Sequence, residues 1–109
     1  MTNYYDMTRA RGGKDDSAIE RGLLDKIDEL KAGLKIEIKI ERYSPWEGKD
    51  RIRINSDGVY FLGKKDHTFS PVVIKATVRM LHRNGFRGYF DIDVHGDIVT
   101  VQPVQELMK

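Results

Sequence analysis

Eight consecutive residues, Leu34 to Glu41, read LKIEIKIE and alternate without a break. Leu34, Ile36, Ile38 and Ile40 share one face of an extended chain. Lys35, Glu37, Lys39 and Glu41 share the other, because strand side chains alternate with a period of two. A helix, with its period of 3.6, cannot separate these two sets. One buried face and one wet face imply an antiparallel sheet covered on a single side. The rest of the chain must therefore supply partner strands and an apolar cover.

The cover is legible on both sides of that run. Ser17 and Glu20 in "SAIE" spell a capping box, and Ile19, Leu23, Leu24, Ile27 and Leu30 then recur at helical spacing up to Gly33. This predicts a helix over 18–32, closed by a glycine just past its end. Arg21 and Asp25 sit four apart on its polar side. A second helix is predicted from Ser70-Pro71, an N-cap followed by proline at the first helical position, to about Asn84, with Gly85 as its cap. Ile74, Val78 and Leu81, with Val73, Thr77 and Met80, form its inner stripe.

Two hairpins complete the pattern. In "RIRINSDGVYFLG", Asp57-Gly58 suits a type I′ turn, which sets Ile54 opposite Phe61 inside and leaves Arg51, Arg53, Tyr60 and Leu62 outside. In "GYFDIDVHGDIVTVQ" the turn is expected at His95-Gly96. Phe90, Ile92, Val94, Val99 and Val101 point inward. Tyr89, Asp91, Asp93, Ile98 and Thr100 point outward. Pro103 is expected to stop the last strand. The order is α-β-β-β-α-β-β. It implies an α+β fold, with an antiparallel sheet of about five strands and two helices on one face. Residues 1–16, with Gly12-Gly13 and no periodicity, read as a flexible tail. Residues 17–102 form one domain, and 103–109 a C-terminal tail.

Composition narrows the function classes. The 109 residues hold no cysteine, which excludes disulfides and thiolate metal sites. No apolar run approaches the ~20 residues of a membrane span. The N-terminus lacks the apolar core of a signal peptide, so a cytoplasmic protein without membrane contact is expected. No phosphate-loop or dinucleotide fingerprint occurs, and no motif places a nucleophile beside a base. Neither catalytic residues nor cofactors are expected. Asp91 and Asp93 lie two apart on one strand face, a spacing that suits a shared Mg²⁺ or Ca²⁺. A solvated strand face already explains them, and no metal ligands are assigned.

The net charge of +2 conceals a gradient, with the surplus of cations in residues 55–90 and an acidic end beyond. Lys75, Arg79 and Arg83 recur every four residues on the second helix, with His82 adjacent and Arg87 following. Lys64 and Lys65 precede the helix, and Arg51 and Arg53 lie on the first hairpin. Phosphate binding wants several cations spaced along one surface, since each neutralised phosphate releases counterions. The eight lysines and arginines named here form the candidate nucleic-acid-binding set. The same cations near a helix C-terminus also complement its dipole. A second candidate surface is apolar: Tyr60, Leu62, Tyr89 and Ile98 on the outer sheet face, with Trp46 in a loop.

Two family resemblances bear on these surfaces. Arg87, Gly88, Tyr89 and Phe90 resemble the basic–glycine–aromatic signature of the RNA-recognition motif. That fold carries the signature on a strand between its two helices, whereas here it follows the second helix, which excludes the family. Residues 51–102 resemble the double-wing DNA-binding domain of MotA-type phage transcription activators in "RINSDGVYFLG", the following helix, "NGF" and "GDIVTV". The resemblance implies a sheet and wings that face DNA, with Arg51, Arg53 and Tyr60 on the outer sheet face.

The expectation is a small non-enzymatic nucleic-acid-binding protein, with DNA ahead of RNA, serving as a regulator or accessory factor of a phage or mobile element. The alternative is a protein-interaction module, an inhibitor or adaptor, that docks through the exposed sheet face, a homodimer included. A metal-dependent hydrolase built on Asp91 and Asp93 stands third.

Overall fold

The computed structural model describes residues 2–5, 14–40, 48–62 and 72–105. Its elements run β1 (Thr2–Tyr5), α1 (Lys14–Asp25), α2 (Ile27–Lys31), β2 (Ile36–Lys39), β3 (Gly48–Asn55), β4 (Gly58–Leu62), α3 (Val72–Arg83), β5 (Gly88–His95) and β6 (Ile98–Pro103). Six strands form one sheet in the order β1-β4-β3-β5-β6-β2. Every neighbouring pair is antiparallel. The α+β architecture is the expected one, with one strand added. Thr2–Tyr5, placed by the sequence in a tail, pairs with β4 and extends the sheet by one edge.

The inner face holds the core. Ile36 and Ile38 of β2, Ile52 and Ile54 of β3, Val59 and Phe61 of β4, Phe90, Ile92 and Val94 of β5, and Val99 and Val101 of β6 are all buried. Ile19, Leu23, Leu30, Ile74, Val78 and Leu81 meet them from the helices. Fully burying one such side chain contributes roughly 1.5–3 kcal/mol. Helix α3 lies over β3, β4 and β5, and α1 packs on α3 and β2.

The first helix departs from the expected 18–32. It begins at Lys14, so Ser17 lies inside the first turns rather than at the cap. The cause is tertiary: Asp16 is buried against Arg79 of α3, which holds this early turn in helical register. The run also breaks at Lys26, whose φ of −122° leaves the helical basin. Its ammonium reaches the Glu37 carbonyl at 2.9 Å. At the far end Gly33, with φ +87°, and Leu34 donate to the carbonyls of Leu30 and Glu29. This is a Schellman cap. Leu34 belongs to that cap and not to the strand, so it is 56% exposed instead of facing the core.

Both hairpins keep their expected faces but shift their turns. The loop of the first is Ser56-Asp57, which pairs Ile54 with Val59 and Ile52 with Phe61. Asn55 decides this: its Oδ1 accepts from the amides of Asp57 and Gly58 at 2.9 and 3.2 Å. An asparagine side chain substitutes here for the positive φ of a type I′ turn. Among the described residues only glycines have positive φ. The second loop is Gly96-Asp97, with Gly96 at φ +66°. Each correction moves the register by two residues, so the inward and outward sets survive.

Pro103 is part of β6 rather than its end. Its missing N–H faces the side of β2, and β2 stops at the Ile36–Val101 pair. No ladder bond is lost there. Helix α3 ends as expected: Gly85, at φ +85°, and Phe86 donate to His82 and Leu81 carbonyls. The expected start at Ser70-Pro71 lies outside the described residues.

Candidate functional site

The alternation that buries Ile52 and Ile54 turns Lys49, Arg51 and Arg53 outward, and all three are exposed. Asp50 takes the inward side of the same strand and is only 3% exposed. Among the described residues no helix packs on the outer face, since α1 and α3 both lie on the core side. The antiparallel register then sorts the outer side chains into cross-strand rows.

One row runs Tyr60, Arg53, Tyr89. The Arg53 guanidinium lies 5.9 Å from the centroid of the Tyr89 ring. Such cation–π contacts hold a planar cation flat while leaving its edge open. The next row runs Leu62, Arg51, Asp91, Gln102. Here Arg51 donates from Nε to Oδ1 and from Nη2 to Oδ2 of Asp91, at 2.7 and 3.0 Å. Those bonds hold the Asp91 carboxyl below its ordinary range against the opposing effect of burial, with Lys49 assisting. The third row sets Lys49 opposite Asp93, followed by Thr100 and Glu37.

The outer face is thus electrostatically divided. The Arg51 row carries matched charges, and the Lys49 row sets one cation against the carboxylates of Asp93 and Glu37. In the Arg53 row the cation lies between two aromatic residues, and among the described residues it makes no ion pair. Arg51, Arg53, Tyr60, Leu62 and Tyr89 therefore come together, as the strand pattern implied. Ile98 does not join them. It sits in a row with His95 and Lys39 at the opposite end of β5.

The helical half of the expected basic set does not assemble. Nearly all of α3 between Val73 and Leu81 is buried, because the helix is packed by the sheet beneath and by α1 alongside. Arg79 is 9% exposed and is held by both carboxylate oxygens of Asp16, so it leaves the nucleic-acid set. Lys75 is half-buried. Arg83 is exposed and lies near the Met80 sulfur at 4.0 Å. Arg87 donates to the Phe86 and His82 carbonyls at 2.8 and 3.4 Å, where it offsets the negative end of α3. Lys64, Lys65 and Trp46 lie outside the described residues.

Asp16 is the residue that sequence reasoning missed. In sequence it is the last residue of the expected tail, ahead of the expected helix, and carries no signal of its own. Only packing reveals its partner. Among the described residues no group of three His, Asp or Glu side chains is arranged for a metal. Both oxygens of Asp91 are engaged by Arg51. No described helix is long and apolar enough to cross a membrane. No protein-family model matches the chain, and no curated protein or solved structure is significantly similar to it.

Proposed function

We propose that the chain is a small nucleic-acid-binding protein that meets its ligand with the open outer face of the sheet, centred on Arg53. The observation that carries the reading is the Tyr60–Arg53–Tyr89 row, in which, among the described residues, the guanidinium meets no carboxylate and no helix covers that face of the sheet. A guanidinium binds phosphate bidentately, and tyrosine rings offer surfaces on which bases stack. Arg51 and Lys49 follow along β3 at intervals of roughly 6.8 Å, each opposite a carboxylate of β5, which leaves Arg53 as the centre of the surface. Arg51, Arg53 and Tyr60 are also the positions implied by the resemblance to the double-wing domains, which favours DNA over RNA. The protein acts by binding rather than by catalysis, as a regulator or accessory factor of a phage or mobile element.

Fluorescence anisotropy with labelled single- and double-stranded oligonucleotides tests this at low salt. Binding that weakens steeply as salt rises, and that falls in Arg53→Ala, is the expected result. Absence of binding even at about 50 mM salt, where non-specific contacts persist, would sink the proposal.

A second reading rests on the Arg51 and Lys49 rows. Arg51 paired with Asp91, and Lys49 opposite Asp93, present little net charge beside half-exposed Tyr60, Leu62 and Tyr89. That mixture suits a protein partner as well. Salt-insensitive capture of a protein, lost in Tyr89→Ala and retained in Arg53→Ala, would favour it.

A further inference from the structure

Among the described residues strand β2 forms one edge of the sheet. The bond from the Ile40 amide to the Asp97 carbonyl, at 2.8 Å, places Ile40 among the residues that bond to the β6 side. Antiparallel ladders alternate, so Ile38 and Ile36 bond to β6 as well. Glu37 and Lys39 aim their N–H and C=O groups away from it. The Glu37 carbonyl accepts from Lys26 Nζ in that outward direction and keeps a second lone pair. A groove of about 420 Å³, lined by Ala18, Arg21, Gly22, Asp25, Glu37 and Lys39 among others, opens along the edge.

We propose that this edge is a homodimer interface, in which two copies of β2 pair antiparallel about a two-fold axis at Ile38 and join the two sheets into one. The charge pattern selects this register. With the axis at Ile38, Glu37 lies directly opposite the partner's Lys39, and Lys39 opposite the partner's Glu37. Opposite charges at facing positions stabilise a pair of strands, and like charges destabilise it. An axis at Glu37 sets glutamate against glutamate, and an axis at Lys39 sets lysine against lysine. The backbone agrees with the charges. Glu37 and Lys39 are the outward-bonding residues, and the Ile38 axis makes them a hydrogen-bonded pair across the interface.

The helices permit the approach. Gly22 of α1 is packed directly on Ile38, so it lies near the axis. Gly22 and Ala18 present little bulk toward the groove. The two-fold axis runs α1 antiparallel to its copy. A strand of this length buries little area, so the dimer belongs to the weak, reversible class. The axis stands perpendicular to the sheet and leaves both outer faces on one side. The inference does not depend on what those faces bind.

Sedimentation velocity from about 10 µM to about 1 mM, a range that brackets a weak association, tests it directly. The wild type is expected to shift from monomer to dimer across the series. Glu37→Lys and Lys39→Glu should each remain monomeric, and the double exchange should restore the dimer. Lys39→Pro removes an outward N–H and an exposed contact of the Lys39 ammonium with Asp97 at 3.9 Å, so it should abolish the dimer with little change in the melting curve. A wild type that stays monomeric throughout overturns the proposal. So does a dimer that survives the single exchanges and Lys39→Pro.

Discussion

Arg79 and Asp16, 63 residues apart in sequence, form a bidentate ion pair between α3 and α1, with Nη2–Oδ1 at 2.6 Å and Nε–Oδ2 at 3.1 Å. The two side chains are 10% and 8% exposed. A buried pair of this kind gains little over an apolar contact, but losing one partner strands the other charge. Arg79→Ala is therefore expected to destabilise the fold by about 3–5 kcal/mol in urea titration. Replacing both, as Arg79→Met with Asp16→Leu, should restore most of that loss.

The Arg51–Asp91 pair predicts acid sensitivity. Hydrogen bonding from Arg51 lowers the folded pKa of Asp91 below its unfolded value of 3.8. Its contribution is fully present above 3.8 and is lost as pH falls from there through the lowered folded value. Arg51 is 44% exposed, so solvent screening limits the pair to about 0.2–1 kcal/mol. Thermal melts in acid should show a smaller decline for Arg51→Ala than for the wild type.

His82 acts at milder pH. Burial, and secondarily the Arg87 charge, lower its pKa from 6.5. Its Nε2 is buried, and no hydrogen-bond partner meets it among the described residues. The unfolded chain therefore takes up the proton first. Stability is full above 6.5 and declines as pH drops through that value toward the lowered one. His82→Gln should flatten this part of the pH–melting profile.

Two glycines separate crowding from backbone strain. A Cβ on Gly22 would meet Ile38 Cγ2 at 2.5 Å, between α1 and β2. Overpacking of that kind costs about 1–3 kcal/mol, more than alanine gains in a helix. Gly85 has open space around it but a φ of +85°. Alanine there should cost about 1–2 kcal/mol through the left-handed backbone alone. Denaturant midpoints should fall for both variants, and trimming Ile38 to alanine should relieve the penalty only at position 22.

For the outer face, Arg53→Ala should weaken oligonucleotide binding and reduce the magnitude of the log–log salt slope by about one. Arg79→Ala, corrected for its unfolded fraction, should leave that slope unchanged. Anisotropy titrations at several salt concentrations measure both.

How far the fold could be read depends on the range of each signal. The period-two runs around Ile36, Ile52 and Ile92 identified strands and their faces, because alternation is local and a shift of two residues preserves it. Turn placement failed at Asn55, where a local side-chain turn to the Asp57 and Gly58 amides competes with the Asp-Gly signal within the same four residues. Thr2–Tyr5 escaped notice because four residues at a chain end carry no pattern until β4 offers an edge to pair with.

The candidate site divides along the same line. Arg51 and Arg53 were legible as outward residues from the alternation of their strand alone, whereas Lys49 joined them only because β3 begins at Gly48. That alternation could not show that Asp91 neutralises Arg51 while Arg53 lies between Tyr60 and Tyr89. Those pairings depend on strand order and register. Nor could helical periodicity remove Arg79 from the basic stripe, since spacing shows which residues share a face but not what covers it. By itself the sequence determined the α+β class, the strands after Thr2–Tyr5 and the inward and outward sets of the two hairpins, because these follow from periods of two and 3.6. Only the tertiary structure decided which charges are cancelled, which are buried and which remain available, because electrostatic fate is set by neighbours that are distant along the chain.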